Sequence, residues 1–339
     1  MSMGKGDIFY MEAAPFLLKP TGKDYLWGGN RLNDDFSKGI DLSPLAETWE
    51  CSTHPDGFSF VASGKYEGLR LKDVLSDHPE YMGRHSRSDG ELPVLIKFID
   101  AKKDLSVQVH PSDEYAFENE NGQLGKTEMW YVLDASKDAK LIYGFKNDVT
   151  EKKIRQSIEK GTIERYLQKV FVKKDDVFLI EAGTVHAIGE KILIAEIQEN
   201  SNLTYRFYDY NRTDKKGNKR RLDIDKAIDV VNMKKSLKPR QPMRVLKYRP
   251  GSASELVCRC KYFQVDRLLV NTERCRQMAD IEVKNDTFQV LLCVDGCGSL
   301  FFGEKGTISF FLGDCIFIPA NCKEKLKIHG KATILIVTC

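Results

Sequence analysis

Short runs of β-branched and aromatic residues, broken by Gly, Asp and Asn, fill this chain and exclude most fold classes. PVLIKFID from Pro93, LSVQVH from Leu105, EMWYVL from Glu128, DVFLIEAG from Asp176, FQVLLCV from Phe288, TISFFLGD from Thr307 and ATILIVT from Ala332 set the pattern. Many short strands with turn signals between them predict an all-β sandwich or barrel and not a parallel α/β sheet. Helical period is confined to two places. Ile154 and Ile158, continued by Ile163 and Leu167, predict a helix over 149–167; Ile224, Ile228 and Val231 predict another over 223–237 behind an Asp223 cap. Both read as surface helices packed on sheets.

With 339 residues, 42% hydrophobic and 30% charged, the chain can fill one large domain or two moderate ones. A net charge of +3 points to neither nucleic acid nor a membrane as a partner. MSMGKGDIFYMEAAPFLL at the amino end lacks the apolar core of a signal peptide, and no apolar run is long enough to span a bilayer. Nine cysteines, an odd number without paired CxxC knuckles, suit free thiols in a reducing compartment, so a cytoplasmic location is expected. The best linker candidate is Lys238-Pro-Arg-Gln-Pro242, which divides 1–240 from 241–339.

The two parts share an internal repeat. Asp176–Ala182 lines up with Asp314–Ala320, and Glu128–Asp134 can be laid on Gln289–Asp295. Each copy pairs a strand with a turn of the kind found in double-stranded β-helix (cupin) barrels, which predicts two barrels. The copies differ where chemistry would sit. Gln289 stands in place of Glu128, and Glu324 in place of His186. Only the first barrel is expected to hold a metal.

Only six histidines occur. In LSVQVH, strand alternation puts Ser106, Gln108 and His110 on one face and Val107 and Val109 on the other. Glu128 faces away from Met129 and Tyr131, and His186 follows the turn at Ala182-Gly183. Two imidazoles and a carboxylate leave coordination positions open, the composition of a catalytic zinc site, with manganese, iron or cobalt as alternatives. Each histidine taken alone is better explained as a hydrogen-bonding core residue. The set of three on successive strand elements favours the metal, with Gln108 a less usual additional ligand.

Seven segments resemble the type I mannose-6-phosphate isomerases, in particular the short bacterial form: Asp24–Gly28, Ala46–Pro55, Pro93–Asp100, Leu105–Pro111, Gly125–Trp130, Glu181–His186 and Thr204–Asp209. They span roughly the first two thirds of the chain in the family's order. The resemblance implies one zinc ion on Gln108, His110, Glu128 and His186. It also implies that Ser106, Lys126, Glu196 and Arg206 line a pocket for a hexose 6-phosphate, with Arg212 a weaker candidate for a second phosphate contact. The expected reaction moves a proton between C2 and C1 through a cis-enediol. Lys126 and Glu196 are both candidates for the base, and Arg206 would pair with the phosphate. Gly125 departs from the longer members, which carry His there. His54, Glu47 and Trp49 are expected to brace the barrel.

Two other readings keep the fold: a metal-dependent cupin oxygenase, which leaves the Lys126/Arg206 pocket unexplained, and a non-catalytic sugar-phosphate sensor. Asn121–Thr127 is not a P-loop, because Glu120 occupies the place of the first glycine and a strand follows where a helix is needed. The basic stretch Arg212–Arg221 reads as a solvated loop without interleaved aromatics.

Overall fold

The computed structural model describes residues 13–213, 217–237, 239, 244–304 and 306–339. Most of the amino-terminal stretch read for a leader and most of the 238–242 linker lie outside them. The described part is mostly β, with a few short helices. Three antiparallel sheets carry it. A six-stranded sheet runs in the order Val177–Ile180, Glu128–Ala135, Ile192–Glu199, Val94–Ala101, Glu47–Cys51, Thr21–Lys23. A five-stranded sheet runs Tyr205–Tyr208, Val107–Val109, His186–Ala187, Lys140–Phe145, Leu167–Phe171. A ten-stranded sheet gathers the carboxy-terminal strands and is extended by Phe16–Lys19 and Phe60–Val61, which arrive from the other end of the chain.

The six-stranded sheet is covered on both faces, which is why a strand such as Val94–Ala101 is buried at every position, Lys97 and Asp100 included. Val94, Ile96, Phe98, Met129 and Tyr131 face the core shared with Val290, Phe317 and Val337 of the ten-stranded sheet. Ile99, Trp130, Val132 and Ile194 face the five-stranded sheet. The outer side of that second sheet is closed by Ile154, Ile158, Ala227 and Ile228 of two helices.

Those helices are shorter than the periodicity predicted. The first is Glu151–Glu159, with the Thr150 hydroxyl accepting from Lys153 N. Gly161, at φ +64°, ends it; a single 3-10 turn at Ile163–Arg165 follows, and Leu167 opens a strand. Ile163 and Leu167 are buried in the same core as Ile154 and Ile158, so the apolar spacing was real although the helix was not continuous. The second helix is Ile224–Val230. Asp223 precedes it without capping it; its carboxylate accepts instead from Arg206 N at 3.2 Å.

The internal repeat survives as strand register. Ile180 lies opposite Glu128 and Val177 opposite Tyr131; Ile318 lies opposite Gln289 and Cys315 opposite Leu292. The two aligned pairs therefore have the same offset. In the second copy the Gln289 amide oxygen accepts from Lys284 N at 2.9 Å, a structural use of the position.

Candidate metal centre and substrate cleft

Two sheets deliver the candidate ligands to one point. Val107 and Val109 are buried beneath the helices, so alternation turns Ser106, Gln108 and His110 to the inner face. Gln108 lies opposite His186 on one neighbouring strand and opposite Arg206 on the other, which puts the three in a row across the sheet. Across the gap, Met129 and Tyr131 point into the opposite core and send Glu128 and Trp130 inward. Glu196 pairs with Trp130 on one side and Lys97 on the other.

His110 Nε2 approaches Glu128 Oε2 at 3.4 Å, and His186 Nε2 approaches Glu128 Oε1 at 3.3 Å. One donor atom from each residue falls within 4.8 Å of the others. All three residues are buried, yet neither nitrogen of His110 and neither oxygen of Glu128 has a hydrogen-bond partner. An unsatisfied buried polar group costs about 1–3 kcal/mol, and here one nitrogen of each histidine and the Glu128 carboxylate face one point without a shared partner. A cation among them would be that partner, and the donor set of two imidazoles and a carboxylate fits zinc.

The protonation states agree. Burial, with the Lys126 charge adding to it, pulls the His110 imidazole down to about 3; burial also lowers His186. Both rings are neutral and free to ligate. His186 Nδ1 lies 2.8 Å from the Thr184 carbonyl oxygen, to which it donates, leaving the Nε2 lone pair aimed at the cluster. Burial works to raise Glu128, but its polar neighbours, the Lys126 charge first among them, hold the carboxyl well below its ordinary range. Lys126 Nζ is 3.2 Å from Glu128 Oε2. The Gln108 amide nitrogen stands 3.3 Å from His186 Nε2, so the same side chain turned over presents a carbonyl oxygen as a fourth donor.

The cluster borders a cleft of 280 Å³ lined by Ser106, Gln108, Lys126, Glu196 and Arg206, five of the residues singled out from the sequence. Arg212 is not among the lining residues. Its guanidinium is turned onto Asp209, with Nε 3.1 Å from Oδ1, and onto the Asp104 carbonyl. The second arginine in the cleft is Arg220.

Lys97 and Glu47 also line the cleft, and the sequence assigned neither a place in it. Lys97 Nζ is 3.3 Å from Glu196 Oε1 and 3.9 Å from Glu47 Oε2. Trp130 Nε1 donates to the other Glu196 oxygen at 2.9 Å, and Trp49 Nε1 donates to Glu47 at 2.9 Å. Burial and the nearby Glu128 charge push the Glu196 carboxyl up against the pull of Lys97 and Lys126. Burial lowers Lys97, but Glu47 and Glu196 more than reverse it. The only signal for Lys97 was a charged residue inside PVLIKFID. His54 packs edge-on against Trp49, with ring centroids 5.8 Å apart, in keeping with a brace.

Residues 16–134 match the family model of the phosphomannose isomerase type I catalytic domain. Mannose-6-phosphate isomerase ManA of Bacillus subtilis is 36% identical over 96% of this chain and 99% of its own length. A mannose-6-phosphate isomerase of Streptococcus mutans is 43% identical over 66% of this chain and 69% of its own. The crystal structure of the mannose 6-phosphate isomerase from Bacillus subtilis superposes with a TM-score of 0.85 at 32% identity, covering 96% of this chain and 99% of that one. Similarity of that depth over essentially the whole length of a relative settles the family: the chain belongs to the type I phosphomannose isomerases.

Proposed function

We propose that the cleft interconverts mannose 6-phosphate and fructose 6-phosphate with one zinc ion held by His110, Glu128 and His186, and by Gln108 through its amide oxygen. The observation that carries this is the convergence of unpartnered His110 and Glu128 atoms beside a cleft furnished with Lys126, Glu196 and Arg206. Manganese, iron or cobalt on the same donors would leave the account otherwise unchanged.

Bound on these residues, the ion would supply Lewis acidity for the negative charge that develops on the sugar. The chain's residues do the rest. Arg206 anchors the phosphate and fixes the far end of the substrate. Ser106 and Lys126 offer hydrogen bonds to the sugar hydroxyls and to the oxygen on which charge develops. Glu196 carries the proton from C2 to C1. A carboxyl raised by burial and a neighbouring anion is a stronger base than an ordinary one, and Trp130 and Lys97 hold both its oxygens in place.

A coupled isomerase assay before and after chelation tests the reading. Activity should vanish with the metal and return with zinc; turnover that persists in metal-free protein rejects it. Glu196→Gln should lower kcat by roughly 10²–10⁴-fold and abolish exchange of the C2 proton with solvent. Undiminished exchange would transfer the role to Lys126.

Two barrels, divided at 240/241, remain our reading of the architecture. In it 1–240 is catalytic and 241–339 is a second barrel without the metal-ligand pattern, completed by Phe16–Lys19 against Cys315–Ile318. A soluble hexose 6-phosphate is the partner this cleft suits, and a cytoplasmic setting supplies one. Among the described residues no helix is long and apolar enough to cross a membrane.

A further inference from the structure

We propose that Arg220, held by Asp209, is the second cation of the phosphate site and that Arg212 acts only by anchoring Asp209. The inference rests on the isomerase reading of the cleft and adds to it the residues that make a 6-phosphate obligatory.

The wall of the cleft beyond Lys126 and Gln108 carries two guanidiniums, Arg206 and Arg220. Arg206 is half-buried; its Nη1 donates to the Arg221 carbonyl at 3.1 Å, while its buried Nε has no partner. Burial and then the charge of Arg220 make its cationic form harder to hold than usual, although Asp209 and Asp223 work the other way. Two like charges brought this close to an open cleft want an anion between them. A phosphate dianion offers several terminal oxygens and matches the forked donors of both.

Asp209 sets the second of these forks. It is 5% exposed, and both Arg220 and Arg212 close on it, Arg220 through Nε to Oδ2 at 2.8 Å with a second contact to Oδ1. Burial works to raise this carboxyl, but the two guanidiniums hold it below its ordinary range. One anion thus serves two arginines. Asp223, the other acid on this wall, is committed to the Arg206 backbone N–H and lies 3.7 Å from Arg221. Arg212 turns its third guanidinium nitrogen, Nη1, onto the Asp104 carbonyl and does not line the cleft. Arg220 does, and the wall keeps a surplus of positive charge facing the space where the substrate's C6 end would lie.

The test is steady-state isomerisation of mannose 6-phosphate by wild type, Arg220→Ala and Arg212→Ala, with inorganic phosphate as competitive probe. Wild-type turnover is the control for the underlying reading; without it the isomerase assignment itself fails. Given turnover, Arg220→Ala should raise KM and the phosphate inhibition constant together by about ten- to a hundredfold, the loss of a charge-assisted contact, with kcat changed far less. Arg212→Ala should raise both by a smaller factor. If the alanine variant loses Tm, Arg220→Gln keeps a hydrogen bond to Asp209 while removing the charge and should show the same rise. Unchanged KM and inhibition constant in a folded Arg220 variant, or a larger effect from Arg212→Ala than from Arg220→Ala, overturns the proposal.

Discussion

At the scale of single residues the site is a set of charges that burial has pushed towards pairing. Glu199 shows this outside the cluster of His110, Glu128 and His186. Its Oε1 accepts from Thr127 N at 2.6 Å, and it shares a hydrogen bond with Asp113. Burial, opposed by the Thr127 contact and helped by Asp113, raises its carboxyl to about 8. The unfolded chain titrates near the ordinary value of about 4.3, so between these pH values the native state binds the proton that the unfolded state has lost. Stability from this group is therefore full in acid and erodes as pH rises towards 8. Glu199→Gln, which mimics the protonated acid, should gain on wild type in Tm from pH 5 to 8 and then level off. A constant difference across that range would show that Glu199 titrates normally.

At the scale of elements, the stretch 111–128 shows why its loop takes a glycine at position 125. Gly125 N donates to Asp113 Oδ1 at 2.9 Å, and Lys126 N donates to the Pro111 carbonyl at 3.0 Å. A Cβ at 125 would stand 2.5 Å from Asp113 N and from Ser112 C, and 2.7 Å from the Pro111 oxygen. All three are backbone atoms, which cannot yield as a side-chain tip does. Gly125→Ala should destabilise the protein by about 1–3 kcal/mol and lower kcat, because Lys126 and Glu128 would shift with the loop. Thermal unfolding measures the first effect; a Tm equal to wild type would mean the loop has room that the structure denies it. A histidine at 125 would meet the same backbone atoms through its Cβ.

Across the whole molecule, what could be read from sequence divides along a physical line. Local alternation is enough to send Ser106, Gln108 and His110 to one face of their strand, and the conserved offset of the repeat follows from pairing Glu128 with Ile180 and Gln289 with Ile318. Chemistry built on such strands was therefore legible. Lys97 was not, because both faces of its strand are buried and alternation cannot say which of them meets the cleft. Arg220 was hidden for the opposite reason. It lies in a run of basic residues that looks solvated until Asp209, eleven positions away, is seen to hold it. The pairing of Phe16–Lys19 with Cys315–Ile318 joins the two ends of the sequence, a long-range match that no local pattern encodes. Residue types announced the His110, Glu128 and His186 cluster; only the fold could furnish the rest of the cleft.

The claim beneath all of this is that one ion on His110, Glu128 and His186 makes the cleft an isomerase. Stripped protein should be titrated with zinc while bound metal and isomerase activity are followed together. Activity should rise in step with bound zinc and stop rising at one equivalent per chain, and His186→Ala should neither retain the ion nor turn over. Full activity reached well below one equivalent, or a His186→Ala variant that works without metal, would contradict the account.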